Sequence, residues 1–275
     1  MLYRNYNIFS KKIKKFNLKN CNKSDQYSLT KFEKRGNIVL NTRYISFVNQ
    51  QSRSDSMKKI EKVAARAQTL GEEIANAISH GLGTGLSIAG MIILIVAAVV
   101  HNKGAIAVVS AALYGAGLIL LYTNSSLYHS LTNKRAKRVF KILDHCSIFV
   151  LIFSSYIPVL LVIIGGALGW TWFGICAACT VLGVVLNSIN LERWKVISMV
   201  LYIVVGWSAL AIMKPLLQAI NTRELIFLVS GGVAYTLGLI FYGNKKIKYM
   251  HFIWHIFVLA GSVLQYFFFL SYYIR

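Results

Sequence analysis

Two histidines one helical turn apart, His251 and His255, open the last long apolar run of this chain. At i and i+4 on a helix, both imidazoles share a face. Similar polar pairs mark other apolar runs. Ser125 and His129 stand four apart at the end of one, Asp144 and His145 open another, and Glu73, Asn76 and His80 stand three and four apart where a further one begins. Neutral imidazole is a common zinc ligand, and a catalytic zinc keeps three protein ligands and one open position. His129, His251 and His255 are the ligands expected here. Asp144 then orients or deprotonates a bound water. Ser125, on the face of His129, hydrogen-bonds that water or polarises a substrate carbonyl. Zinc lowers the pKa of its water to ~7, which suits hydrolysis at neutral pH. Glu73, Asn76, His80, His145 and Tyr242 are the residues expected to support this set from behind.

A plainer reading stands beside this one. A single histidine in a membrane helix serves most simply as a helix–helix hydrogen bond or an interfacial group, and His80, His101 and His145 taken singly fit that description. The pair at 251 and 255 argues otherwise only together with His129 and Asp144, if all four reach one depth. An ionisable side chain within a membrane is costly and marks function by default.

The elements that must position these groups follow from composition. The chain is 56% hydrophobic and 14% charged, against about 25% charged in ordinary soluble domains. A net charge of +21 in a soluble protein would suggest a nucleic-acid partner. Here the cations concentrate in the N-terminal stretch and short loops, as membrane insertion requires, so no nucleic acid is expected. Seven apolar runs, near 77–99, 104–130, 143–164, 167–188, 195–214, 224–243 and 252–273, each approach the ~20 residues that cross a hydrocarbon core. The expected fold class is an all-α integral membrane protein of the cell membrane, a seven-transmembrane helical bundle.

Loop charges orient it. The second, fourth and sixth loops hold ten cations (Lys134, Arg135, Lys137, Arg138, Lys141, Arg193, Lys195, Lys245, Lys246, Lys248) against three in the odd loops (Lys103, Lys214, Arg223). The N-terminus is therefore expected in the cytoplasm and the C-terminus outside. With that orientation every polar pair above lies at the inner leaflet, and only His101 falls in an outer loop. A site there selects an amphiphile, so a membrane lipid is the expected substrate or ligand, its tails entering between helices.

The chain divides into three parts. Residues 1–56 carry 12 Lys/Arg against 3 Asp/Glu and no long apolar run, a composition that cannot bury enough surface to fold. They are expected to be a disordered basic extension, upstream of a natural start at Met57, with a basic cytoplasmic tail or targeting segment as the alternative. Residues 57–76 read as a cytoplasmic amphipathic segment, and 77–275 as the membrane domain. Gly81, Gly83 and Gly85 follow no strand and so are not a dinucleotide loop; small residues there let helices approach. Cys176 and Cys179 spell a redox or metal motif but sit in an apolar run, where buried thiols are the simpler reading. Pro158 is expected to kink its helix and Pro215 to end one. Gly238, Phe241 and Tyr242 either line the pocket or pack.

As a set, Glu73-x-x-Asn76-x-x-x-His80, Ser125-x-x-Tyr128-His129, Leu143-Asp144-His145, Gly238-x-x-Phe241-Tyr242 and His251-x-x-x-His255 resemble the hemolysin III family, the bacterial branch of the progestin and adipoQ receptor group. The resemblance covers about residues 70–275. It implies a seven-helix bundle with its N-terminus inside. It also implies a zinc ion on the positions of His129, His251 and His255, with Ser125 and Asp144 beside it. Ser154-Ser155-Tyr156-Ile157-Pro158 departs from the Gly and Thr that relatives more often carry before the proline, a difference of local packing. The wider group implies three activities. A zinc-dependent lipid amide or ester hydrolase resembling the ceramidases is the first expectation. A pore-forming cytolysin and a sensor or receptor with structural zinc are the alternatives. A pore needs a polar stripe through the whole bilayer, whereas the polar groups here cluster at one end.

Overall fold

The computed structural model describes residues 68–243 and 247–275, all helix and short connections. The 1–56 extension, residues 57–67 of the segment before the membrane, and Lys245 and Lys246 lie outside the described residues. The helices are α1 (Leu70–Val100), α2 (Ala105–Ser130), α3 (Lys134–Pro158), α4 (Gly166–Gly206), α5 (Met213–Ala219), α6 (Thr222–Gly243) and α7 (Met250–Ile274). Six helical stretches among the described residues are long and apolar enough to cross a membrane; the fourth is a 54-residue run over Gly166–Ala219.

That long run is not one straight rod. Asn190 has extended backbone (φ −159°, ψ 91°) inside α4, and its Oδ1 accepts from the Arg193 N–H at 3.0 Å. This is how an N-cap residue satisfies the open donors of a new helix. Asn190 thus ends the helix over 166–189 and starts the one over 191–206. Past Gly206 the chain tightens into a 3-10 turn, Ser208–Ile212, before α5. Lipid offers no water to freed backbone groups. Tyr156 supplies the partners, donating to the Gly206 carbonyl at 2.8 Å and accepting from Ala209 N–H at 2.9 Å.

The two prolines act differently. Pro158 closes α3, and a π-helical turn over Val159–Ile164 follows it. Gly165 and Gly166, at φ 63° and 57°, then reverse the chain in a conformation that glycine adopts without strain. Pro215, expected to end a helix, lies instead in the first turn of α5. There its missing N–H would have had no intrahelical partner anyway.

Most of α1 starts where the sequence suggested a separate segment: Leu70 through Asn76 continue directly into the long apolar helix. Thr69 caps it reciprocally with Glu72. Glu72 also accepts from the Tyr249 N–H at 2.8 Å, tying the start of α1 to the start of α7. At the same end, Lys141 of α3 pairs with Glu192 beside the Asn190 break. At the opposite end, Arg275 lies 3.3 Å from the fully buried Glu224 of α6, and Lys103 donates to the Arg275 carbonyl. Among the described residues, the cations of the second and fourth loops therefore lie at one end of the bundle. The core between the ends is aromatic and aliphatic, with Tyr114, Phe268, Phe269, Leu160 and Leu216 wholly buried, while many Leu, Ile and Val side chains of α1, α4 and α6 face outward. An outward apolar surface of this kind is what a lipid-facing bundle presents.

Candidate metal centre

Four helices deliver the polar groups to one layer. His129 is the penultimate residue of α2 and His251 the second of α7, while His80 and Asp144 each lie ten residues past the first residue of their helices. His129, His251 and His255 form a group whose ligand atoms all lie within 4.8 Å of one another. Their ring centroids are 4.7–5.2 Å apart. Tetrahedral zinc with bonds of ~2.0–2.1 Å holds its donors roughly 3.4 Å apart, so these nitrogens lie within a side-chain adjustment of a shared ion.

The hydrogen bonds decide which nitrogen is offered. His129 Nδ1 donates to Glu73 Oε2 at 2.7 Å, because an ionised carboxylate can only accept. The proton on Nδ1 leaves the lone pair on Nε2, which is buried and has no hydrogen-bond partner in the protein. His255 Nδ1 likewise donates toward the Asn76 carbonyl at 3.3 Å and lies 3.2 Å from Ser79 Oγ, which leaves its lone pair on Nε2. A ligating histidine ordinarily donates its other N–H to a carboxylate or carbonyl, which sets tautomer and ring angle. Both rings obey that rule, so the residues present fit a metal ion on chemical grounds as well as by distance.

The supporting residues separate into distinct roles. Glu73 is shared: its second oxygen accepts from Lys137 Nζ at 2.8 Å. Asn76 is fully buried and works through its backbone carbonyl, while its side chain donates to Gln68. His145 belongs to another contact set. Its Nδ1 donates to the Lys141 carbonyl at 2.8 Å, and its Nε2 lies 3.3 Å from the Tyr242 hydroxyl. Tyr242 in turn sets its ring 5.8 Å from that of His251. His80 makes no hydrogen bond through either ring nitrogen. It stacks face to face on His255 at 3.6 Å and meets the edge of Tyr122 at 5.0 Å. His101 is exposed at the end of α1, away from the others.

Asp144 and Ser125 do not hydrogen-bond any of the three imidazoles. They share with His251 and His255 the wall of one cavity. Ser125 Oγ is buried beside the Asp144 carboxylate, which also lies 3.7 Å from His145 Nδ1. The cavity has a volume of about 180 Å³ and continues past the polar groups along Ile148, Leu210, Leu228 and Val258 to Phe269. An apolar cavity of ~150 Å³ suffices to bind benzene, so this one is large enough for a ligand. Tyr242 lines it, whereas Gly238 packs: a Cβ there would meet Trp254 at 2.8 Å and Phe257 at 2.9 Å. Cys176 and Cys179 are free thiols.

Three contributors escaped the sequence reading. Lys137 reads from sequence as one more loop cation, and nothing in its position points to Glu73. Ser79 adjoins His80 and could have been found as the residue three past Asn76. Tyr122 lies three residues before Ser125 and seven before His129, on one helical face, so its spacing was a usable signal.

The chain is similar to known proteins over most of the described residues. Residues 68–266 match the family model described as Haemolysin-III related. The chain is 39% identical to Hemolysin-3 of Bacillus cereus over 207 residues, covering 75% of this chain and 94% of that protein. It is also 39% identical to the Hemolysin-3 homolog of Bacillus subtilis (strain 168) over 207 residues, 75% of this chain and 97% of the relative. A more distant similarity, 28% over 167 residues, links it to the human monocyte to macrophage differentiation factor, covering 58% of this chain and 68% of that protein.

Proposed function

This chain belongs to the haemolysin-III related family and is a multi-pass protein of the cell membrane, and from that premise we propose that it is a zinc-dependent hydrolase of a lipid amide or ester. One observation carries the reading: two of three clustered histidines, His251 and His255, line a mainly apolar cavity together with a carboxylate and a hydroxyl, and the third, His129, stands directly behind them. His129, His251 and His255 would hold the metal through their unprotonated nitrogens. A zinc ion held there supplies Lewis acidity and an acidified water. The protein's own groups do the rest. Asp144 takes a proton at its carboxylate and returns it to the leaving amine or alcohol. Ser125 donates its hydroxyl to the carbonyl oxygen of the substrate. The apolar walls from Ile148 to Phe269 hold the acyl chain and exclude water.

The topology belongs to the same proposal. A continuous helix of 54 residues would run ~80 Å, far beyond a ~30 Å core. With Asn190 capping a new helix, 166–189 and 191–219 are two crossings and the bundle has seven. Loop cations then place the Asn190 break, the histidines and the start of α1 toward the cytoplasm, with Arg275 outside.

Metal analysis of the purified protein beside His251→Ala tests the ligand set. One zinc per chain is expected in the wild type and a large loss in the variant; equal metal in both overturns it. Turnover of a fluorescent ceramide panel by wild type and Asp144→Ala tests the chemistry. Loss of turnover with metal retained supports it, and metal without turnover in the wild type rejects the enzyme. The name of the Bacillus cereus relative favours a second reading, membrane lysis. Against it stands the cavity wall, which is mainly apolar beyond the histidine layer. Absence of hemolysis at saturating purified protein would dispose of it.

A further inference from the structure

His80 is set apart from its neighbours. His129 is fixed by Glu73, His145 by the Lys141 carbonyl and Tyr242, and His255 by the Asn76 carbonyl. His80 is 3% exposed, yet neither of its ring nitrogens has a protein partner at good hydrogen-bond geometry, a loose contact with the His255 backbone apart. An unsatisfied buried donor costs ~1–3 kcal/mol, so such a group persists where something it can bond to arrives. Its ring is nevertheless held firmly. One face lies on His255, and Tyr122 stands nearly perpendicular to the ring, itself anchored by donation to Ser262 at 2.7 Å. Gly83 permits this, since a Cβ there would lie 2.7 Å from the Tyr122 ring. His80 also lines the cavity that holds Asp144 and Ser125. Packing fixes the ring's orientation, while its polar edge is left unused by the protein.

We propose that His80 is a ligand-binding residue, whose ring N–H donates a hydrogen bond to the carbonyl oxygen of an amphiphile seated in the cavity. This rests on the reading of the cavity as a lipid site given above. A neutral imidazole carries one donor nitrogen, and a carbonyl brings an acceptor into the cavity that His80 lines. His80 therefore selects for a carbonyl-bearing head group and contributes nothing to holding the metal.

The test is equilibrium binding to the full-length, zinc-loaded protein in detergent, with metal content measured on the same samples. Two probes are used: a dodecanoyl amide with a fluorophore on its far end, and the matching dodecyl ether, which lacks a carbonyl. His80→Phe keeps a flat ring on His255 but removes both nitrogens. The expected result is unchanged zinc, amide affinity weakened about tenfold, the equivalent of one ordinary hydrogen bond, and unchanged ether affinity. His80→Gln, which restores an N–H donor, should recover part of the amide affinity. Unchanged amide binding in His80→Phe overturns the proposal, as does an equal loss for the ether or no recovery in His80→Gln. Loss of zinc in His80→Phe also overturns it, making His80 a prop for His255. Failure of the wild type to bind either probe rejects the lipid cavity itself, and this proposal with it.

Discussion

The residue that governs His129 is Glu73. One carboxylate oxygen receives the imidazole proton at 2.7 Å and the other receives Lys137 at 2.8 Å. The first bond selects the tautomer that exposes Nε2, and the second keeps the carboxylate charged and turned toward α2. Glu73→Leu removes both. Replacing a supporting carboxylate of this kind ordinarily weakens metal binding by ~10–100-fold. The same loss is expected here, with the fold retained, in a competition titration against a chelator of known zinc affinity. An unchanged affinity would show that the ring of His129 is set by packing alone. The sequence already offered Glu73, three residues before Asn76 and seven before His80 on the first helix, as a supporting group. It could not have offered Lys137, whose partner is 64 residues away.

Helices, not loops, carry the site, and their close approach makes it compact. α1 and α2 meet where Gly83 faces the ring of Tyr122 and Gly81 lies 3.3 Å, by its would-be Cβ, from Ser126 Oγ. Gly85 meets nothing, so the three glycines of that motif are not equivalent. Gly83→Ala forces the Tyr122 ring to move, and overpacking of this kind costs ~1–3 kcal/mol. The expected outcome is a lower thermal midpoint in detergent for Gly83→Ala and none for Gly85→Ala. If both behave alike, the contact at Gly83 is not tight. The run over 166–219 teaches a different lesson about elements. Apolar length suggested two crossings with a cationic loop between them at Arg193 and Lys195. The chain instead stays helical almost throughout, and a single extended residue, Asn190, makes the division. Hydropathy reads the charge but not whether backbone bonds continue through it.

For the molecule as a whole, the ends are distinct. One carries the basic loops, the Glu72–Tyr249 tie and the Lys141–Glu192 pair; the other carries Arg275 against buried Glu224. If the proposed orientation holds, a single cysteine at Glu192→Cys, in a chain otherwise free of cysteine, reacts with a membrane-impermeant maleimide only after the cytoplasmic face is opened. One at Lys103→Cys reacts in intact cells. The reverse pattern would invert the molecule, and labelling of both from outside would mean that the 54-residue run crosses only once.

Residue types and spacing alone determined that this is a helical membrane protein and which histidines, carboxylates and hydroxyls were worth watching. Long apolar runs can satisfy their backbone in lipid only as helices, and an imidazole at membrane depth needs a reason. The same spacing placed the polar groups of four helices near one end. Tertiary structure decided what each of them does there. It turned the Nδ1–H of His129 toward Glu73, sent His145 to Tyr242, stacked His80 against His255, and opened a mainly apolar cavity beside Asp144. Periodicity assigns a side chain to a helical face, but the rotation and separation of neighbouring helices choose its partner, and these come from packing between residues far apart in the chain.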